Sequence, residues 1–149
     1  MNIRRASRQD GQAVVQLIRC LAEFEKLPPP DAAAEQRLIR DAFDAVPPRL
    51  ELWVAEEEDR VLAYAACFET YSTFRARPTL FLEDLFVHPG ARRRGVARRL
   101  LARLRDEAVG RGCGRFEWMV LDWNQDAKSL YQAIGAQTMA DWRLMRVDL

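Results

Sequence analysis

Two adjacent carboxylates, Glu83 and Asp84, interrupt the apolar run Leu80-Phe81-Leu82-Glu83-Asp84-Leu85-Phe86-Val87, and shortly afterwards the chain passes through Arg92-Arg93-Arg94-Gly95-Val96-Ala97. Acids inside an apolar strand move a proton or hold a cation, and a glycine among arginines at a helix start holds an anion. Both alternating faces of the run are apolar except at its centre, which predicts a strand inside a sheet covered on both sides. Neighbours in an extended strand point to opposite faces, so at most one of the two carboxylates faces a reacting group directly while the other orients a loop or binds charge. The plain alternative is a pair satisfied by backbone N–H groups or arginine.

The turn supplies the anion site. A helix that begins near Gly95 leaves its first N–H groups without intrahelical partners, and its dipole adds positive charge where they converge, so a phosphate fits there. Gly95 lets the backbone approach an oxygen closely, and Ala97 is small enough not to block it. Val96, Leu100, Leu104 and Ala108 recur at helical spacing with Ala97 and Leu101 beside them, which leaves Arg98, Arg99, Arg103 and Arg105 mostly on the wet side. One or more of Arg92, Arg93, Arg94 and Arg98 meet the phosphates in this reading.

The pattern Arg92-x-x-Gly95-x-Ala97 after a hydrophobic strand resembles the acetyl-CoA-binding motif of the GNAT superfamily of N-acetyltransferases. Arg93 stands where many members carry a first glycine, and Ala97 replaces the last one. Leu82 to Val87, Asp122-Trp123-Asn124, Tyr131 with Gly135-Ala136, and Trp142-Arg143-Leu144 follow the order and approximate spacing of the diamine (spermidine/spermine) N-acetyltransferase branch over nearly the whole chain. The resemblance implies an α/β (α+β) GNAT fold, a mixed central sheet of about six to seven strands flanked by about four helices. It implies transfer of acetyl from acetyl-CoA to a primary amine by direct attack in a ternary complex, without metal. The acids Glu25, Glu83 and Asp84, at positions resembling the branch's polyamine-binding side, imply a small cationic amine acceptor, and because Ser72 and Phe74 stand where the polyamine enzyme carries a further acid and a tryptophan, a diamino-acid-like acceptor stands beside a polyamine. Such an amine has a pKa of ~10.4, so freeing it at neutral pH costs about 4–5 kcal/mol and demands a route for the proton.

Site roles follow from the same resemblance. Cofactor contacts fall at Phe86, Val87, Arg92, Arg93, Arg94, Gly95, Val96, Ala97, Asn124 and Tyr131. Tyr131 is the acid that protonates the departing thiolate, and without the match it reads as core packing beside Leu130 and Ile134. Glu83 is a water-mediated base or amine anchor with Asp84 beside it. Glu25, Glu83 and Asp84 form the acidic wall that a cationic substrate needs. Asn124 has two jobs open to it, capping the following helix or bonding the pantetheine arm. Relatives of this branch pair through C-terminal strands, which implies a homodimer through Trp142 to Val147. A second class, an acyl-CoA-binding regulatory module with little turnover, keeps the cradle without the chemistry, and a GNAT acting on a peptide or other amine is a third.

The positioning elements are legible from pattern. Ile3 to Ala6 reads as a strand, and Ser7 as the cap of a helix carrying Val14, Leu17, Ile18, Leu21 and Phe24 on one side. Pro28-Pro29-Pro30 stops that helix, and Asp31 caps a second with Leu38, Ile39, Ala42 and Phe43 before Pro47-Pro48. Residues 50–56 and 61–71 predict a hairpin across Glu57-Glu58-Asp59-Arg60. After the long helix, Gly110 and Gly112 end the segment, and residues 115–121 form a strand. Asn124 to Ile134 form a helix closed by Gly135, and residues 142–147 a last strand. No repeat or linker divides the chain, which reads as one catalytic domain, residues 1–149.

Composition limits the remaining classes. The chain is 149 residues long, 49% hydrophobic and 30% charged, so it holds one core and little else. With 23 basic and 22 acidic residues its charge is +1, which gives no reason to expect nucleic acid or an anionic membrane as partner, and the arginines from Arg92 to Arg115 lack interleaved aromatics. No signal peptide is visible and the apolar run Val61 to Phe68 is too short to span a bilayer, so the expected compartment is the cytoplasm. Cys20, Cys67 and Cys113 form no metal spacing, and Cys67 and Cys113 read as small buried side chains. His88, the single histidine, precedes a proline at a strand end and reads as a local structural residue.

Overall fold

The computed structural model describes residues 1–149, which fall into two compact units, Met1–Met119 and Val120–Leu149. The first unit is a five-stranded sheet in the order β1-β2-β3-β4-β5, formed by Asn2–Arg5, Glu51–Glu57, Arg60–Ser72, Arg77–Val87 and Arg115–Trp118. All neighbours are antiparallel except the parallel pair β4 and β5. The β2–β3 hairpin closes through Glu58 and Asp59, both at positive φ (50° and 59°), because a two-residue turn must match the right-handed strand twist.

Two helices cover the sheet. Helix α1 (Gly11–Glu25) packs on β3 and β4, and its inner residues Val14 and Leu17 join Leu52, Val54, Tyr64, Ala66 and Phe86 in a buried cluster. Helix α3 (Val96–Gly110) buries Val96, Leu100, Leu101, Leu104 and Ala108, as its four-residue spacing predicts. Between them in sequence, α2 (Ala32–Ile39) starts where the Asp31 side chain accepts the Ala34 N–H at 2.8 Å and runs into a wide turn, Arg40–Asp44. Helix α1 lies close to α2: a Cβ at Gly11 would stand 2.6 Å from Ile39 Cδ1.

Strand β4 is irregular where the acids sit. Asp84 opposes Ala66 while Leu82 opposes Cys67, which makes Glu83 the extra residue of a β-bulge. The simple alternation expected of Glu83 and Asp84 is therefore broken: Asp84 and Phe86 share the α1 face with Ala66 and Tyr64, and Leu80 and Leu82 lie on the other face. The parallel ladder with β5 stops just before the bulge, at Leu82 and Trp118.

The second unit contains α4 (Gln125–Ala133), capped by Asn124 and closed by N–H bonds from Gly135 to the Gln132 carbonyl and from Ala136 to the Tyr131 carbonyl, each 3.0 Å. Three expectations need correcting. The sheet has five strands rather than six or seven. Strand β5 ends at Trp118, not Leu121, because the bulge ends its ladder. Residues 142–147 form no strand, and Trp142, Leu144, Met145 and Val147 are exposed; alternating apolar residues make a strand only beside a partner backbone. No helix is long and apolar enough to cross a membrane.

The entry to α1 also differs from its expected form. A short 3₁₀ turn, Arg8–Asp10, precedes the helix, and the Ser7 amide and hydroxyl both donate to the Asp10 carboxylate at 2.7 and 2.9 Å. Arg4 adds a bidentate pair to Asp10 at 2.8 and 2.9 Å, joining β1 to the start of α1. Its guanidinium holds the Asp10 carboxyl well below the usual carboxylate range, against the opposing effect of burial, with Ser7 assisting. A depressed folded-state pKa stabilises above the unfolded pKa of ~3.9 and loses that contribution as pH falls. Asp10→Asn is expected to lower stability at pH 7 by roughly 1–3 kcal/mol. In urea melts its deficit relative to wild type should shrink steadily below about pH 4, and a deficit constant with pH would show that the ion pair contributes nothing.

Candidate active site

The turn after β4 is built from local bonds. His88 Nδ1 accepts the Gly90 N–H at 3.2 Å, so the histidine is a local cap, as its place before Pro89 suggested. Gly95 at φ 75° then starts α3, and the first helical bond runs from the Arg99 N–H to the Gly95 carbonyl at 3.1 Å. The amides of Val96, Ala97 and Arg98 therefore precede the ladder. Unlike α2 and α4, α3 has no side-chain cap, and a Cβ placed on Gly95 would meet no atom within 4 Å. Amides, helix dipole and open space coincide at this point, which suits an anionic group.

The arginines differ from one another more than their sequence suggests. Arg92 is a strut: its guanidinium lies over the rings of Phe24 and Phe86 at 5.4 and 5.5 Å, and its Nε donates to the Val87 carbonyl at 3.2 Å. Arg94 is engaged by Glu57 at 2.6 Å, and that pairing lowers the glutamate's pKa. Arg93 and Arg98 are exposed. Arg93 holds φ 62°, the left-handed conformation that glycine adopts freely, so the turn keeps its course with a side chain attached.

A second feature gathers on the α1 side of the sheet. Tyr64 is wholly buried, and its hydroxyl donates to Asp84 Oδ2 at 3.0 Å. Burial raises the Asp84 pKa, opposed by the Tyr64 hydrogen bond. Glu25, the last residue of α1, is raised by desolvation and then by the Asp84 charge. Burial first, and then the charges of Asp84, Glu25 and Glu83, push the Tyr64 phenol far above its ordinary range, so it stays a neutral donor. The structure thus brings together Glu25, Asp84 and Glu83, the three acids expected to line an acceptor site, with Glu83 exposed and Asp84 half-buried.

Other expected site residues fall in different settings. Phe86 is 5% exposed within the core under α1, so only its backbone is presented to a ligand. Val87 pairs with Ala63 at the end of β4 and gives its carbonyl to Arg92. In the second unit Asn124 Oδ1 accepts the Ala127 N–H at 3.1 Å, the first of its two open jobs, and Tyr131 is half-buried on α4. Burial pushes the Cys67 thiol up to about 12, as befits a small core side chain and not a nucleophile. No group of three or more His, Cys, Asp or Glu side chains is placed to hold a metal ion.

A sequence profile of the acetyltransferase (GNAT) family matches residues 13–136. The chain belongs to this family. It is 33% identical over 156 aligned positions to the thialysine N-epsilon-acetyltransferase of Bos taurus, covering 98% of this chain and 91% of that protein. The L-ornithine N5-acetyltransferase NATA1 of Arabidopsis thaliana is 38% identical over 58% of this chain and 38% of its own length. Among solved structures, a possible acetyltransferase from Clostridium difficile 630 superposes with a TM-score of 0.87 at 17% identity, covering 99% of this chain and 97% of that one, a likeness of fold. This GNAT protein is an N-acetyltransferase, and members of its family use acetyl-CoA.

Two residues that bond to members of the candidate site, Glu57 and Tyr64, are not among those the sequence singles out. Glu57 sat in a charged hairpin turn with nothing to mark its bond to Arg94. Tyr64 carried a readable signal, a phenol among Ala63, Ala65, Ala66 and Cys67, since a hydroxyl in so small-residue a strand needs a partner. The strain at Arg93 is directly measurable. Removing a left-handed penalty of roughly 1–2 kcal/mol, less roughly 0.4–1 kcal/mol of added unfolded-state entropy, Arg93→Gly is expected to raise stability by up to about 1.6 kcal/mol in urea melts. A lower midpoint would mean that the Arg93 side chain stabilises the turn.

Proposed function

We propose that this acetyltransferase moves an acetyl group from acetyl-CoA to the primary amine of a small cationic acceptor, a diamine or diamino acid, by direct attack. The observation that carries the reading is the pairing of opposite electrostatic sites on one strand. The acids Glu83 and Asp84 lie in β4, and the helix start at Gly95 follows the same strand's end. An anionic cosubstrate and a cationic acceptor would meet between them. The names of the relatives, which act on thialysine and ornithine, support an acceptor carrying more than one ionisable amine.

Acetyl-CoA fits the residues present. The amides of Val96, Ala97 and Arg98 suit its pyrophosphate, with Arg93 adding charge and Arg94 joining it once Glu57 yields. The backbone of β4 past Leu82, around Phe86 and Val87 where β5 no longer pairs, suits the extended arm, and a contact from Asn124 rests on the family resemblance alone. When bound, acetyl-CoA supplies an activated acyl carbon and a thiolate leaving group. Arg92 acts on this site through packing, tying the turn to Phe24 and so to the end of α1.

The acceptor arrives as an ammonium. Glu83, exposed at the bulge, takes the first proton through water, the amine nitrogen bonds to the acyl carbon and gives its second proton to solvent, the C–S bond breaks, and Tyr131 gives the sulfur a proton that solvent then replaces. The net change is one amide and one thiol formed, with one proton released. Tyr131's role rests on its sequence match. Because a thiol of pKa ~8.5 is already a fair leaving group, proton donation helps without being indispensable. Three free cysteines suit a reducing, cytoplasmic setting.

A thiol-release assay with polyamines, diamino acids, monoamines and peptides tests the reading. Diamines and diamino acids should release CoA, and Tyr131→Phe should lower turnover by about 10²-fold or somewhat more while CoA affinity in calorimetry stays within about twofold. Binding of CoA without release by any amine would identify an acyl-CoA-binding module instead, and Tyr131→Phe at the wild-type rate across pH would remove the tyrosine from the chemistry.

The exposed apolar segment Trp142, Leu144, Met145 and Val147 supports a homodimer, in which these residues pair with a second copy of the chain. Sedimentation velocity at micromolar concentration should show a dimer, and a chain ending at Asp141 a monomer. A monomeric full-length protein would exclude the assignment.

A further inference from the structure

We propose that Tyr64 is a positioning residue for the acceptor: its phenol fixes the Asp84 carboxylate, so that Asp84 and Glu25 together receive the acceptor's second, non-reacting ammonium. The inference rests on the amine-acetyltransferase reading above and names the part of the substrate that this corner recognises.

The geometry makes packing alone an insufficient account of Tyr64. The ring is fully buried beside Val54 and Phe86, where phenylalanine would fill the same volume without bringing a hydroxyl into the core. The hydroxyl is directed at a carboxylate, not a backbone carbonyl, and that carboxylate is half-buried at the edge of the same core. With Oδ2 held by Tyr64, the other oxygen of Asp84 is left to a ligand. The bulge at Glu83 is what puts Asp84 on the Tyr64 face, and α1 delivers Glu25 to it from a different element.

The charges around Asp84 are Glu25 from α1, Glu83 from its own strand and the neutral phenol of Tyr64 from β3. Arg92, which touches Phe24 beside Glu25, is occupied with Phe24, Phe86 and the Val87 carbonyl. Neither Glu25 nor Asp84 forms an ion pair, in contrast to Asp10, Glu51, Glu56 and Glu57, each of which is bonded by an arginine. Two desolvated carboxylates repelling each other accept a proton or a cation. The Tyr64 hydrogen bond favours the ionised form of Asp84 and thereby keeps the place for a cation at neutral pH. A monoamine has no second charge to put there.

The test compares wild type and Tyr64→Phe with 1,4-diaminobutane, thialysine and n-butylamine between pH 6 and 9. Losing a hydrogen bond to a charged group should raise KM for the two acceptors that carry a second ammonium by about 10- to 100-fold at pH 7, with kcat within about twofold and n-butylamine unaffected. The ratio of variant to wild-type kcat/KM cancels the acceptor's own titration. It should climb with pH for these two acceptors, because Asp84 without its donor ionises only at higher pH. In an Asp84→Asn background Tyr64→Phe should have no further effect. A flat ratio, an equal loss on n-butylamine, or an undiminished effect in Asp84→Asn would overturn the positioning role while acetyl transfer stands. Wild-type protein that releases no CoA with any of the amines would overturn the acceptor reading itself, and this inference with it.

Discussion

Asp84 lies beneath α1 because Glu83 is one residue more than the β3–β4 ladder can accommodate. Without the bulge, Asp84 would follow Leu80 and Leu82 by strict alternation onto the face that packs against Leu100, Leu101 and Leu104, where a carboxylate meets only hydrocarbon. With it, the strand changes phase between Leu82 and Asp84. The apolar half then covers one face and the half bearing Asp84 and Phe86 covers the other. The same bulge ends the parallel ladder with β5, leaving the last residues of β4 with backbone on one side for a ligand. One local irregularity thus accounts for the direction of an acid, the partner of a buried tyrosine and the extent of the sheet.

The turn at Gly95 works by a different balance. Its anion capacity belongs to the backbone, to amides that precede the first helical bond, and the arginines around it are only partly available. Arg92 links the turn to Phe24 of α1, the residue before Glu25, and to Phe86 of β4. Arg94 has a counter-ion in Glu57, which a phosphate must displace. Arg93 holds a glycine-like conformation, and its guanidinium is exposed at the lip. The sequence Arg-Arg-Arg therefore encodes three jobs in structure, a strut, a masked charge and a strained one.

Legibility in the sequence tracked the range of the interaction involved. Helix α3, the hairpin and the Asp31 and Asn124 caps depend on residues within a few positions of each other, and periodicity and turn chemistry predict them with ends shifted by a residue or two. The bulge depends on register against β3, set far away in sequence, and a one-residue offset leaves no local trace in an apolar run. Tyr64 and Glu57 meet their partners only through tertiary structure. The segment from Trp142 to Val147 has strand-forming residues and no strand, because pattern specifies a face and not the backbone that must lie beside it. The grouping of Glu25 with Asp84 came from family resemblance; no spacing rule joins a helix end to a strand nearly sixty residues later.

Asp10 at the start of α1 and the pair of Asp84 in β4 with Glu25 at the end of α1 respond to pH in opposite senses, and the contrast separates the clamp from the pair. Asp10, clamped by Arg4 and Ser7, has a depressed pKa, so folding favours its ionised form and the contribution is present at neutral pH. Asp84 and Glu25 have raised pKa values, so folding favours their protonated forms; the stability tied to them is present in acid and is lost as pH rises through the folded-state values. At neutral pH the pair therefore opposes folding, and the Tyr64 hydrogen bond reduces that opposition without removing it. A cation arriving between the two carboxylates would reverse the sign. Ligand binding and relief of a built-in repulsion become one event, and the fold tolerates the arrangement because the Arg4–Asp10 clamp and the apolar core under α1 lie on the same helix and hold it in place.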